Sequence, residues 1–142
     1  MKKILTVVLG TLFAGIAHAD PVVLYSYDGS FDDATFSVED AIISRGLVID
    51  YICHTGEMLK RTGEDLGATK EIFKAADIFL FCSAVISRKV MEADPLNIVH
   101  CPYSIFVYEN NDGVKIGYNE YPQGVMQEVQ SLLDGIVKSA IE

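Results

Sequence analysis

The sequence predicts an α+β domain of two layers, a mostly antiparallel sheet of about five strands with helices packed on one face. Three observations point there. Five short β-branched or aromatic runs are spread unevenly among two substantial amphipathic helices, without the regular alternation of a doubly wound fold. Two of the runs flank Asn110-Asn111-Asp112-Gly113, a hairpin signal built from residues that tolerate positive φ. The chain then closes on Val125, Val129, Leu132, Leu133, Ile136, Val137 and Ala140, which recur on one helical face and need a sheet to cover.

The first nineteen residues are excluded from that fold. Lys2 and Lys3 precede an uncharged apolar stretch from Ile4 to Ala17, and Ala17-His18-Ala19 supplies a small-x-small cleavage pattern. A signal peptide over residues 1–19 is expected, cut after Ala19, leaving a single domain over 20–142 in the periplasm. The apolar stretch is well short of the roughly 20 residues that span a bilayer, so no membrane attachment is expected after cleavage.

From Val22 the elements follow in order. Val22 to Tyr27 is an apolar and aromatic strand closed by Asp28-Gly29. Ser30 or Asp32 caps a helix that runs to Arg45 with Ala34, Val38, Ala41 and Ile42 inward, and Gly46 stops it. Leu47 to Cys53 is the second strand. The glycine-interrupted stretch Thr55–Gly67 predicts a short helix and a loop, and Thr69 is read as the cap of another short helix through Ala76. Ile78 to Ala84 is apolar enough for a central strand. Ser87 is expected to cap a brief helix carrying Val90 and Met91, stopped at Asp94-Pro95. Tyr103–Glu109 and Val114–Tyr118 form the hairpin, and Tyr103, Tyr108 and Tyr118 read as core or cross-strand aromatics.

Composition narrows the partners. The chain carries a net charge of −9, and loss of the leader removes two lysines and no acid. Such a domain repels nucleic acid phosphates and anionic headgroups, so neither is expected as a partner. The three cysteines, Cys53, Cys82 and Cys101, lie in apolar runs and read as buried free thiols; a Cys82–Cys101 bridge between neighbouring strands is the alternative.

Residue chemistry singles out a soft-ligand set. His54 follows Cys53 at the end of the second strand, Met58 lies one helical turn further on, and His100-Cys101 opens the fourth strand. Imidazole, thioether and thiolate suit copper(I), and His, Met or Cys also serve as axial ligands to haem iron. The set therefore predicts a binding module for copper or non-covalent haem, with His54 and Met58 at its centre and His100 and Cys101 as further metal ligands. Successive strand residues point to opposite faces, so neither Cys53 with His54 nor His100 with Cys101 ligates one ion without a bend. A second reading, catalysis, rests on Glu57, Glu64 and Asp65 beside Lys60 and Arg61, paired acids that suit acid–base work but equally a solvated face. The chain has no Gly-rich phosphate loop, nucleophile elbow or metalloprotease helix, and the reading leans away from an enzyme. A third reading is an interaction protein with no cofactor. Ser131, Asp134, Lys138, Ser139, Gln127 and Gln130 make the far side of the terminal helix polar, so a partner surface must lie elsewhere.

One resemblance spans nearly all of the chain after the leader. Cys101-Pro102-Tyr103-Ser104-Ile105-Phe106-Val107-Tyr108-Glu109, the Phe36–Ile49 passage from helix to strand, and their order before a terminal helix resemble the bacterial family of domain of unknown function 302. The resemblance implies a two-layer fold of the TATA-binding-protein-like type, often packed as a homodimer, with no DNA binding attached to that fold name. It implies no catalytic residues, because the family has no established activity.

Overall fold

In the computed structural model, which describes residues 21–142, strands β1 (Val22–Tyr27), β2 (Val48–Cys53), β3 (Ala75–Cys82), β4 (Tyr103–Asn110) and β5 (Gly113–Asn119) form one sheet. Its order is β1-β5-β4-β3-β2, and every neighbouring pair is antiparallel. Helices α1 (Phe31–Ile43), α2 (Thr55–Asp65), α3 (Ala84–Ala93) and α4 (Gln127–Ile141) and a 3-10 helix (Pro95–His100) connect and follow the strands. The expected signal peptide and its cleavage site lie outside the described residues. Among those residues no helix is long and apolar enough to cross a membrane.

Period-two alternation sorts the strands into two faces. Phe79 and Phe81 of β3, Tyr103, Ile105 and Val107 of β4, and Val114, Ile116 and Tyr118 of β5 are buried beneath the helices. They meet Ala34, Val38, Ala41 and Ile42 of α1 and Val129, Leu133, Ile136, Val137 and Ala140 of α4 in one core. At about 25 cal/mol per Å² of apolar surface, burial of this set is the main term holding the layers together. Arg45 joins the two helices, donating to the Gly135 carbonyl (2.6 Å) and to Ser139 Oγ (3.1 Å).

Three expectations need correction. No helix forms at Thr69: the chain is irregular from Ala68 to Lys74, and β3 begins at Ala75. The reason is tertiary pairing, since Ala75 and Ala76 lie opposite Glu109 and Tyr108 and the Lys74 N–H donates to the Glu109 carbonyl (2.9 Å). α3 is capped by Ser83, whose hydroxyl accepts from the Ile86 N–H, while Ser87 bonds the Tyr103 hydroxyl (2.9 Å). β2 carries a register irregularity between Ile49 and Tyr51, which leaves Asp50 exposed opposite no single partner.

The polar side of α4 is the third. Asp134 reaches the sheet, accepting from the hydroxyls of Tyr25 (2.5 Å) and Tyr118 (2.8 Å) at Oδ1 while Lys138 sits 2.6 Å from Oδ2. Gln130 accepts from the Tyr121 N–H and Gln127 donates to the Tyr121 carbonyl, both at 2.8 Å. These side chains fasten the helix to the chain beneath it.

Candidate functional site

The antiparallel register places the sequence-predicted ligands. Cys53 pairs with Ile78, so the residue after Cys53 meets the residue before Ile78. That contact is His54 Nδ1 to Asp77 Oδ1 at 2.8 Å. The hydrogen bond to the Asp77 carboxylate, and then its charge, push the His54 imidazole above its ordinary pKa, with a smaller contribution from Glu57. The ring is 57% exposed, and with Nδ1 engaged its free nitrogen is Nε2. The Met58 N–H donates to the His54 carbonyl (3.2 Å) in the first turn of α2, and the thioether is half-exposed.

His54 borders an open groove of about 680 Å³ between α2, residues 68–74 and the start of α1. Glu57, Lys60 and Glu64 line it, and Met58 does not. The acids expected to serve catalysis are therefore split, because Asp65 also falls outside the groove. α2 has no buried residue; Gly56 permits its close approach, since a Cβ there would lie 2.6 Å from the Ala76 backbone nitrogen.

His100 and Cys101 lie elsewhere. Phe81 pairs with Tyr103, so the entry to β4 meets the end of β3, whereas His54 sits at the start of β3. The two halves of the soft-ligand set are thus separated by most of a strand, roughly 15 Å. The His100 ring lies 5.6 Å from that of Tyr121, and Cys101 neighbours Cys82. Among the described residues no group of three or more His, Cys, Asp or Glu is placed to hold a metal ion. The three thiols are free and half-buried, where full burial was expected.

Sequence reasoning passed over Asp77 because it stands at the head of an apolar run whose strand was expected to begin one residue later. A lone acid opening such a run is the signal that could have found it. The second feature it missed is a whole surface. On the sheet face away from α1 and α4 stand Leu24, Phe106, Tyr108, Ile78, Leu80, Val48 and Tyr51, all partly or largely exposed. Phe106 and Tyr108 stack with ring centroids 6.3 Å apart, and Phe73 extends the row to Tyr108 at 5.3 Å. Gly117 lets Phe106 lie flat, because a Cβ there would stand 2.6 Å from the ring.

The comparisons with known proteins agree on one assignment. The family model described as domain of unknown function DUF302 matches residues 23–140. This chain belongs to the DUF302 family. Among solved structures, this DUF302 chain is similar to an uncharacterized conserved DUF302 protein from Bacillus stearothermophilus, at 15% identity and a TM-score of 0.63. The match covers 87% of this chain and 97% of that one, and at this identity it supports the shared fold. No curated protein matches the chain.

Proposed function

We propose that this DUF302 domain is an exported interaction module that works as a homodimer, two copies packing through their open sheet faces. The observation that carries the reading is the apolar face itself, a surface from Leu24 to Tyr51 on the side away from α1 and α4, with only the start of α2 approaching its Ala76 end. Contiguous apolar surface of this kind marks an interaction site. Five strands about 4.8 Å apart and about 3.3 Å per residue long give roughly 550 Å² of plane, close to what smaller specific interfaces take from each partner.

Charge favours a second copy as the occupant. A chain of net charge −9 repels itself over most of its surface. The open face is the exception: its charges are Lys115, which donates to Ser26 Oγ (2.7 Å), and Asp50 at the β2 edge. These two oppose in sign.

A glutamate placed at Leu80 should split the dimer without unfolding the domain, because the side chain points away from the core. Burying that unpaired charge is expected to weaken association about 100-fold, read by light scattering across a dilution series with circular dichroism as the folding control. A Leu80→Glu protein that dimerises as tightly as the wild type would place the interface elsewhere.

The hydrogen bond between Asp77 and His54 favours a second reading, a copper or haem ligand at His54 Nε2. A carboxylate on the far nitrogen fixes the tautomer and raises ligand basicity. Met58 is then the neighbouring soft donor one turn away. The raised imidazole pKa acts in the opposite direction, since a proton competes for Nε2 at neutral pH. Uptake of copper(I) or haem by the purified protein is expected to vanish in His54→Ala and to weaken about 10- to 100-fold in Asp77→Asn. Uptake unchanged in both variants would remove His54 from any such site.

A further inference from the structure

At the end of the sheet opposite His54, two thiols meet. The β3–β4 register sets Phe81 against Tyr103, which brings Cys82, the last residue of β3, beside the chain entering β4. Continued by one residue, that register sets Cys82 opposite Pro102, with Cys101 the next residue along, and Cys101 is near enough to add to the shift of the Cys82 thiol. Both are partly accessible. Aromatic groups wall them in: Tyr103 and Tyr121 pack edge to face with centroids 6.1 Å apart, and the Tyr103 hydroxyl is held by Ser87. We infer that Cys82 and Cys101 are a disulfide-forming pair, oxidised by exchange with a small-molecule disulfide, and that the bond clasps the segment carrying α3 and the 3-10 helix.

The third cysteine supports the pairing by its position. Cys53 lies opposite Ile78 while Cys82 lies opposite Val48, so Cys53 is held most of a strand away. Its neighbour is the Thr55 hydroxyl, 3.5 Å from Sγ. One thiol of three is therefore left over after oxidation, and the odd cysteine count has a structural explanation.

The two members play different parts. Burial, with the neighbouring Cys101 adding to it, pushes the Cys82 thiol up to about 11, so Cys82 keeps its proton at neutral pH. Cys101 gives up its proton and attacks one sulfur of the external disulfide; a mixed disulfide forms and the first small thiol leaves. Cys82 then gives its proton to solvent and attacks the Cys101 sulfur, expelling the second small thiol. The cysteines lose two electrons and two protons in total, and the external disulfide is reduced to two thiols. The bond closes residues 82 to 101 into a loop without crossing the core.

Oxidised glutathione is the probe. After incubation of the leaderless protein and denaturation, thiol titration should fall from three to one per chain, and peptide mapping should link Cys82 to Cys101 within one chain. Cys53→Ser should still form the bond; Cys82→Ser and Cys101→Ser should not. Closing a loop of this length is expected to raise the Tm of the oxidised protein over the reduced by on the order of 10 °C. Three thiols persisting, or a bridge that uses Cys53 or joins two chains, would overturn the pairing. Cys82 shares the open face with Leu80, so the readout is the bond present at equilibrium and not its rate; the same intrachain link is expected in the Leu80→Glu protein, which keeps this test separate from that of the dimer.

Discussion

An Asp134→Ala protein is expected to unfold about 3 kcal/mol more easily than the wild type. The carboxylate accepts from two phenols and faces an ammonium, so its loss removes charge-assisted hydrogen bonds, each worth roughly 1.5–3 kcal/mol. The Tyr118 side chain is 2% exposed, and its hydroxyl is left unpaired among apolar neighbours. Asp134→Asn keeps an acceptor oxygen and is expected to cost less, about 1–2 kcal/mol. Urea denaturation of the three proteins measures the order directly.

The same carboxyl gives a pH signature. Burial pushes Asp134 up, but the Lys138 ammonium and the two tyrosyl hydroxyls outweigh it and leave the group below the usual carboxylate range. A depressed folded pKa contributes stability that is complete above the unfolded value of about 3.9 and is lost as pH falls through the folded value. Stability of the wild type should therefore decline in acid more steeply than that of Asp134→Asn. Equal slopes below pH 4 would show that Asp134 does not carry the effect.

Gly117→Ala should destabilise by about 1–3 kcal/mol, the range for an overpacked site. The added Cβ would stand 2.6 Å from the Val23 carbonyl oxygen, 2.6 Å from the Phe106 ring and 2.8 Å from Leu24 Cδ2. The side chains are able to shift, but the Val23 carbonyl belongs to the β1–β5 pairing and moves only with the strand. Gly63→Ala is the counter-case. It lies inside α2, its Cβ would meet Ala68 at an ordinary 3.7 Å, and the substitution should stabilise by about 0.5–1 kcal/mol. Opposite signs from the same chemical change separate close packing from helix propensity; two losses of similar size would not.

Much of this architecture is legible in the residues. Val22–Tyr27, the Ser30 cap, the hairpin at Asn111-Asp112 and the terminal helix follow from alternation, capping and periodicity, which are local. The segment before β3 was not legible, because Lys70 to Ala76 has helical composition and becomes irregular chain and strand only through its pairing with β4. The polar residues of α4 misled for a related reason: spacing shows that Asp134 lies off the apolar stripe, but not that two tyrosines reach it.

The candidate site was half legible. Residue type marked His54, and helical spacing placed Met58 one turn on, as the structure has it. Its partner Asp77 depended on the β2–β3 register, and so did the separation of His54 from His100 and Cys101. The open face was hidden by the same alternation that revealed the strands. Ile78, Leu80, Phe106 and Tyr108 are as apolar as the residues between them, so the pattern does not say which face the helices leave uncovered.

Sedimentation equilibrium of the leaderless wild-type protein over a wide concentration range tests the central claim most directly. Face-to-face pairing predicts a mass that rises to two chains and stays there, because the two open faces bury one another and leave no third. A single-chain mass at every concentration, or assembly that continues past two, would contradict it.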